Sequence, residues 1–125
     1  MAGSAEPPRF KVGGQWTAFQ SNRSTATFHL KQDDNGTLTG DGEQPTASAT
    51  TSSGGTLRGR VEGGRVEGNS FVVTIDWDPI GPDVGPRGEY SGTFNPEGRL
   101  TGLAYDINNP GSQAFWFSGG SFPRA

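Results

Sequence analysis

The chain has 125 residues and a formal net charge of −3, enough length for one domain with one cooperative core. It contains no cysteine, which removes disulfides, thiolate zinc sites, iron–sulfur clusters and cysteine nucleophiles together. Acidic and basic residues are interspersed along its length, so it lacks the clustered Lys and Arg that nucleic-acid binding requires.

Only 30% of the residues are hydrophobic, and 21 are Gly and 9 Pro. These punctuate short alternating segments at intervals, as in a hairpin-rich β protein rather than a disordered chain. The first ten residues include Glu6, Pro7, Pro8 and Arg9 and have no apolar stretch of signal-peptide type, and no later run approaches a membrane span. The expectation is a cytoplasmic protein, or a secreted one if a leader has been removed, with residues 1–12 as an N-terminal extension and 13–125 as a single barrel domain.

In chain order, period-two alternation predicts strands near Gln15–Phe19, Thr25–Gln32, Thr37–Gly42, Leu57–Glu62, Arg65–Trp77, Glu89–Asn95, Arg99–Ile107 and Gln113–Ser118. No segment has a sustained helical period. A Gly, polar, large apolar, polar, Gly pattern recurs through them, as in GTLTG from Gly36, GTLRG from Gly55 and GRLTG from Gly98. Its apolar residue points inward and its glycines let a strand coil as a small sheet closes. The fold class expected is all-β, an eight-stranded antiparallel up-and-down β-barrel.

Connections fall into two groups by length. Asp33-Asp34-Asn35-Gly36, Gly63-Gly64 and Asn95-Pro96-Glu97-Gly98 read as tight hairpin turns. The Gln20–Ser24, Glu43–Gly55, Asp78–Gly88 and Asn108–Ser112 connections are longer. Alternate loops of a meander lie at the same end, so one end is closed by tight turns and the other is a loop-rich mouth, where functional groups collect.

With strands so placed, the chain resembles the calycin group of barrels and, within it, the avidin and streptavidin family. The carrying residues are Gly14-Gln15-Trp16, Thr27-Phe28, Gly36-Thr37-Leu38-Thr39-Gly40, the run Phe71–Trp77, and Tyr90-Ser91-Gly92. The resemblance implies a barrel that holds a small ligand at its mouth, a Trp16 that plugs the closed end with Arg124 stacked on it, and oligomeric assembly. It also implies polar ligands for the biotin ureido group two positions after the opening Trp and shortly after Leu-Thr-Gly. Those positions hold Ala18 and Gly42 here, which offer no polar side-chain group.

Alternation puts Phe71, Val73, Ile75 and Trp77 on one inward face, with Trp77 nearest the mouth, and places Tyr90 beside it at the start of the sixth strand. The pair reads as an aromatic clamp with polar tips, or as ordinary core packing for Trp77. If Leu100 points inward on the seventh strand, Asp106 does too, as a polar anchor, a general base, or a cap on the following turn. Gln20 and Ser24 flank the first long connection and complete the candidate ligand-binding set. Leu103, Tyr105 and Ile107 then form an outer apolar stripe, the expected surface for a homo-oligomer. His29 is alone on the outer face, and no metal motif, cofactor motif or catalytic triad is recognisable.

The leading function expected is binding of an apolar or aromatic small molecule at the loop-rich end, with no cofactor and neither nucleic acid nor membrane as partner. The alternatives are a cofactor-free cyclase- or isomerase-type enzyme using a carboxylate or tyrosine, a biotin-binding avidin-like protein, and a filled-barrel interaction module. Inner glycines leave volume for a cavity unless aromatic side chains cross the barrel.

Overall fold

A computed structural model of the chain describes residues 7–21, 25–45, 56–77, 87–107 and 109–125. Eight strands, β1 Gly14–Gln20, β2 Thr25–Gln32, β3 Leu38–Pro45, β4 Thr56–Glu67, β5 Ser70–Trp77, β6 Arg87–Phe94, β7 Arg99–Asp106 and β8 Asn109–Ser121, pair antiparallel in sequence order. β8 returns to pair with β1 and closes the barrel. This is the all-β architecture the alternation predicts, consistent with a calycin-like fold. Among the described residues no helix forms, so none is long and apolar enough to cross a membrane.

Two of the three predicted tight turns form as expected, and by the same chemistry. Asp33 Oδ1 accepts the backbone N–H of Asn35 and Thr37 at 2.9 and 2.8 Å. Asn95 Oδ1 accepts those of Glu97 and Arg99, both at 2.9 Å. Each loop then reverses through a glycine with positive φ, Gly36 at 86° and Gly98 at 87°.

The third turn is corrected. Gly63 and Gly64 lie inside β4, at a bulge where pairing with β5 shifts from Val61↔Ile75 to Gly63↔Thr74. The hairpin reverses instead at Gly68-Asn69, with Gly68 at φ 57° between the partners Glu67 and Ser70. A strand running straight from Arg65 to Trp77 would put Val66 on the face opposite Phe71. Turning at Gly68 makes Val66 and Phe71 cross-strand partners, both buried inside the barrel.

The closed end is plugged by the segments flanking the barrel. Phe10 and Val12 are buried, and Phe10 stacks on Phe94 with centroids 4.5 Å apart. Gln32 ties this segment down twice, accepting from Val12 N at 2.9 Å and donating to Phe10 O at 3.0 Å. Trp16 packs edge-on to Phe122 at this end and donates its indole N–H to Val12 O. Arg124 lies over Phe10, 5.2 Å from the ring centroid, and not on Trp16 as the resemblance implies. Phe10 reaches that position because the segment before β1 bridges Arg124 directly.

Aromatic side chains also cross the middle of the barrel. Trp116, 1% exposed, packs with Trp16, Phe71 and Tyr90. Its strand settles its parity by turning Ala114, Trp116 and Ser118 inward. Ser118 stands opposite a register shift between β7 and β8, where its hydroxyl accepts from Leu100 N and donates to Gly120 O. The volume left by the inner glycines is thus largely occupied: a Cβ on Gly42 would lie 2.7 Å from Ile75 Cδ1, and one on Gly59 2.7 Å from Trp77 Cε3.

Candidate functional site

Concave space inside the barrel survives at the long-loop end. A cavity of about 150 Å³ opens there, with Gln20 from the end of β1, Trp77 from the end of β5, Tyr90 from β6 and Asp106 from the end of β7 in its wall. Four residues far apart in sequence converge because each occupies the mouth end of its strand, and because the registers Gly88↔Asp106 and Tyr90↔Ala104 set β6 and β7 side by side. Ser24, the fifth candidate, lies outside the described residues. Leu100 and Ala104 are buried, so the parity that carries Asp106 to the cavity is the one expected from the repeat pattern.

Trp77 holds its position because both neighbouring strands present glycine to it. Gly59 on β4 and Gly88 on β6 flank the indole, and a Cβ on either would crowd it, at 2.7 Å from Cε3 and 3.2 Å from Nε1 respectively. The Gly88 position also lies 3.6 Å from Tyr90 Cε1, so the two aromatic side chains meet over that one glycine. Beneath them Tyr90 rests edge-on against Phe28 and Trp116, with centroids 5.1 and 6.0 Å away.

The polar groups of the wall differ in how they are engaged. Gln20 Nε2 donates to the Tyr90 hydroxyl at 3.2 Å. Burial pushes the Tyr90 phenol up to about 12, against a smaller opposing pull from the Gln20 bond. Arg87, at the rim, pairs with Glu62 Oε2 at 3.2 Å. Of the three indoles, Trp16 and Trp116 donate to backbone carbonyls, of Val12 and Leu103, at 3.0 Å each. Trp77 Nε1 has no hydrogen-bond partner among the described residues.

Several residues of the site escape sequence reasoning. Trp116 packs against Tyr90 beneath the site, yet Ala114-Phe115-Trp116-Phe117 places aromatics on both faces of β8, so alternation alone assigns neither face to the core. Ala114, Gln44 and Arg87 also line the cavity without any motif to flag them. Tyr105 contributes to the wall but directs its hydroxyl to Glu89 Oε2, 2.8 Å away, and this bond raises the phenol pKa.

The outer wall is of a different character. Leu103 and Tyr105 are half-buried there and Ile107 is exposed, while Phe19, Phe115 and Phe117 lie open at 39%, 71% and 53% exposure. Phe19 and Phe117 are register partners and stack at 5.6 Å. A larger depression of about 600 Å³ lies over β2, β3 and β4, but its walls are charged surface side chains such as Asp41, Arg58 and Arg60, with His29 paired to Glu43 at 3.5 Å. Among the described residues no group of three or more His, Asp or Glu is placed to hold a metal ion. No family model, curated protein or solved structure matches this chain.

Proposed function

We propose that the protein is an avidin-like barrel that binds a small, largely aromatic or apolar molecule at its mouth, with Trp77 and Tyr90 as walls and Gln20 and Asp106 as polar anchors. The observation that carries this reading is the convergence of those four residues on one cavity while aromatic packing occupies the rest of the interior. A filled-barrel interaction module needs no such opening. Biotin is the less favoured ligand, because the buried Ala18 and Gly42 provide no polar contact for a ureido head. Proton transfer by the site tyrosine is also disfavoured, since a phenol at about 12 is far from the neutral range in which a general base works best.

The test is a thermal-shift and native mass-spectrometry screen with aromatic metabolites, fatty acids, sugars and biotin. Aromatic compounds are expected to raise the melting temperature and add mass at one equivalent. Ala114→Leu, which fills the cavity from β8 without removing a polar group, is expected to abolish that response in a protein that still melts cooperatively. A response to none of these classes sinks the reading.

A second feature supports self-association. The outer face of β7, β8 and β1 carries Leu103, Phe115, Phe117 and Phe19, and neither β1 nor β8 contains a single Lys, Arg, Asp or Glu. An uncharged aromatic face is best matched by an equally uncharged one, so the partner proposed is a second copy of this chain.

A further inference from the structure

We infer that the mouth cavity selects an uncharged, single-ring molecule that carries one hydrogen-bond acceptor, such as a carbonyl oxygen, on its edge. This deepens the small-molecule reading above and rests on it.

Size sets the first limit. The cavity measures about 150 Å³, and a protein cavity of roughly that volume accommodates one benzene-sized ring. Two donors that reach no acceptor among the described residues set the second. Trp77 Nε1 donates to no described residue, although the other two indoles both reach a carbonyl. The Tyr90 oxygen accepts from Gln20, which leaves its own hydrogen to donate, and it meets no acceptor among the described residues. Both donors belong to side chains that meet over Gly88, so they border one stretch of the wall. A donor that a bound ligand screens from water gains most from a ligand atom that accepts its hydrogen.

Charge sets the third limit. Arg87, the one cationic side chain among the described residues of the wall, is engaged with Glu62, so an anion finds no unengaged cation among them. A cation gains nothing from the Trp77 N–H, which donates and cannot accept.

Titration calorimetry of the full chain against four near-isosteric probes, benzamide, benzoate, benzylammonium and toluene, tests the inference. Benzamide is expected to bind tightest, by about tenfold over toluene, the ratio that one or two net hydrogen bonds supply. Tyr90→Phe, which deletes only the hydroxyl, is expected to cost benzamide about tenfold and leave toluene within about twofold. Trp77→Phe should act in the same direction, with the toluene affinity reporting whether the recess itself is preserved. If benzamide and toluene bind alike, or if benzoate or benzylammonium binds tightest, the inference is overturned while the cavity remains a ligand site. If none of the four binds to a chain that melts cooperatively, the small-molecule reading itself fails and takes this inference with it.

Discussion

Tyr90 is the residue at which burial and function meet. Its ring completes the aromatic packing of the upper core, and its hydroxyl reaches the cavity beside Gln20. Because the folded-state pKa is raised from 10.0 to about 12, the neutral phenol is favoured by the fold. Above pH 10 the unfolded chain loses this proton while the folded chain keeps it, so the native state binds more protons and stability falls as pH rises. The contribution is fully present below pH 10 and is lost as the pH climbs through about 12, with a total of about 2–3 kcal/mol from a two-unit difference. Urea melts between those two pH values are expected to show this slope in the wild type and a clearly shallower one in Tyr90→Phe. Equal slopes would mean that the phenol is not held neutral by burial. At this scale Trp77 and Tyr90 were legible because the run from Phe71 to Trp77 alternates without ambiguity. Trp116 was not, since Phe115 and Phe117 are as apolar as the residue between them and only the pairing of β8 with β7 and β1 decides which face is inside.

The turns show how few residues determine an element's limits. Asp33 and Asn95 each gather two backbone N–H groups, and a glycine with positive φ completes each reversal. A Cβ on Gly98 would stand 2.6 Å from Phe122 O, where the C-terminal segment crosses the closed end. Gly98→Ala is therefore expected to cost about 1–3 kcal/mol or more, from strained φ together with that backbone contact. Gly63 has no atom within 4 Å of an added Cβ and lies within the bulged stretch of β4. Gly63→Ala should stay within about 0.5 kcal/mol of the wild type. Chemical denaturation of the two variants checks the pair, and a large loss for Gly63→Ala would restore the turn that the sequence suggests there. That misplacement has a simple origin: Gly-Gly and Gly-Asn are both hairpin signals, and a strand carrying a bulge interrupts its own alternation.

Across the whole molecule, β8 closes onto β1 through Ala18↔Ser118, Phe19↔Phe117 and Gln20↔Trp116, so little sheet edge is open to strand addition and self-assembly is expected to use a face. The outer surface of β7, β8 and β1 supplies one, with Phe115 the most exposed of its large apolar side chains at 71%. Sedimentation equilibrium across the micromolar range is expected to find a dimer or larger assembly, and Phe115→Ser with Phe117→Ser is expected to return it to monomer with the melting temperature of the folded barrel retained. A wild-type chain that sediments as a monomer throughout rules out the second-copy proposal.

Alternation and turn chemistry determined the barrel and its strand order, because each depends on residues close together in sequence; of the connections read as long, Asn108–Ser112 is instead largely taken up by β8, which begins at Asn109 as the register partner of Asp106. The inward setting of Trp77 and Tyr90 followed from the same local period, whereas that of Asp106 waited on the burial of Leu100 and Ala104 to settle the face of β7. Tertiary structure alone decided how much of the interior remains open. That volume depends on how Trp16, Phe28, Phe71 and Trp116, from four separate strands, interdigitate across the axis, and on which glycines they cover. It also decided that the Trp77 N–H meets no backbone acceptor among the described residues while the other two indoles do, since that depends on how each ring is turned within the packed interior.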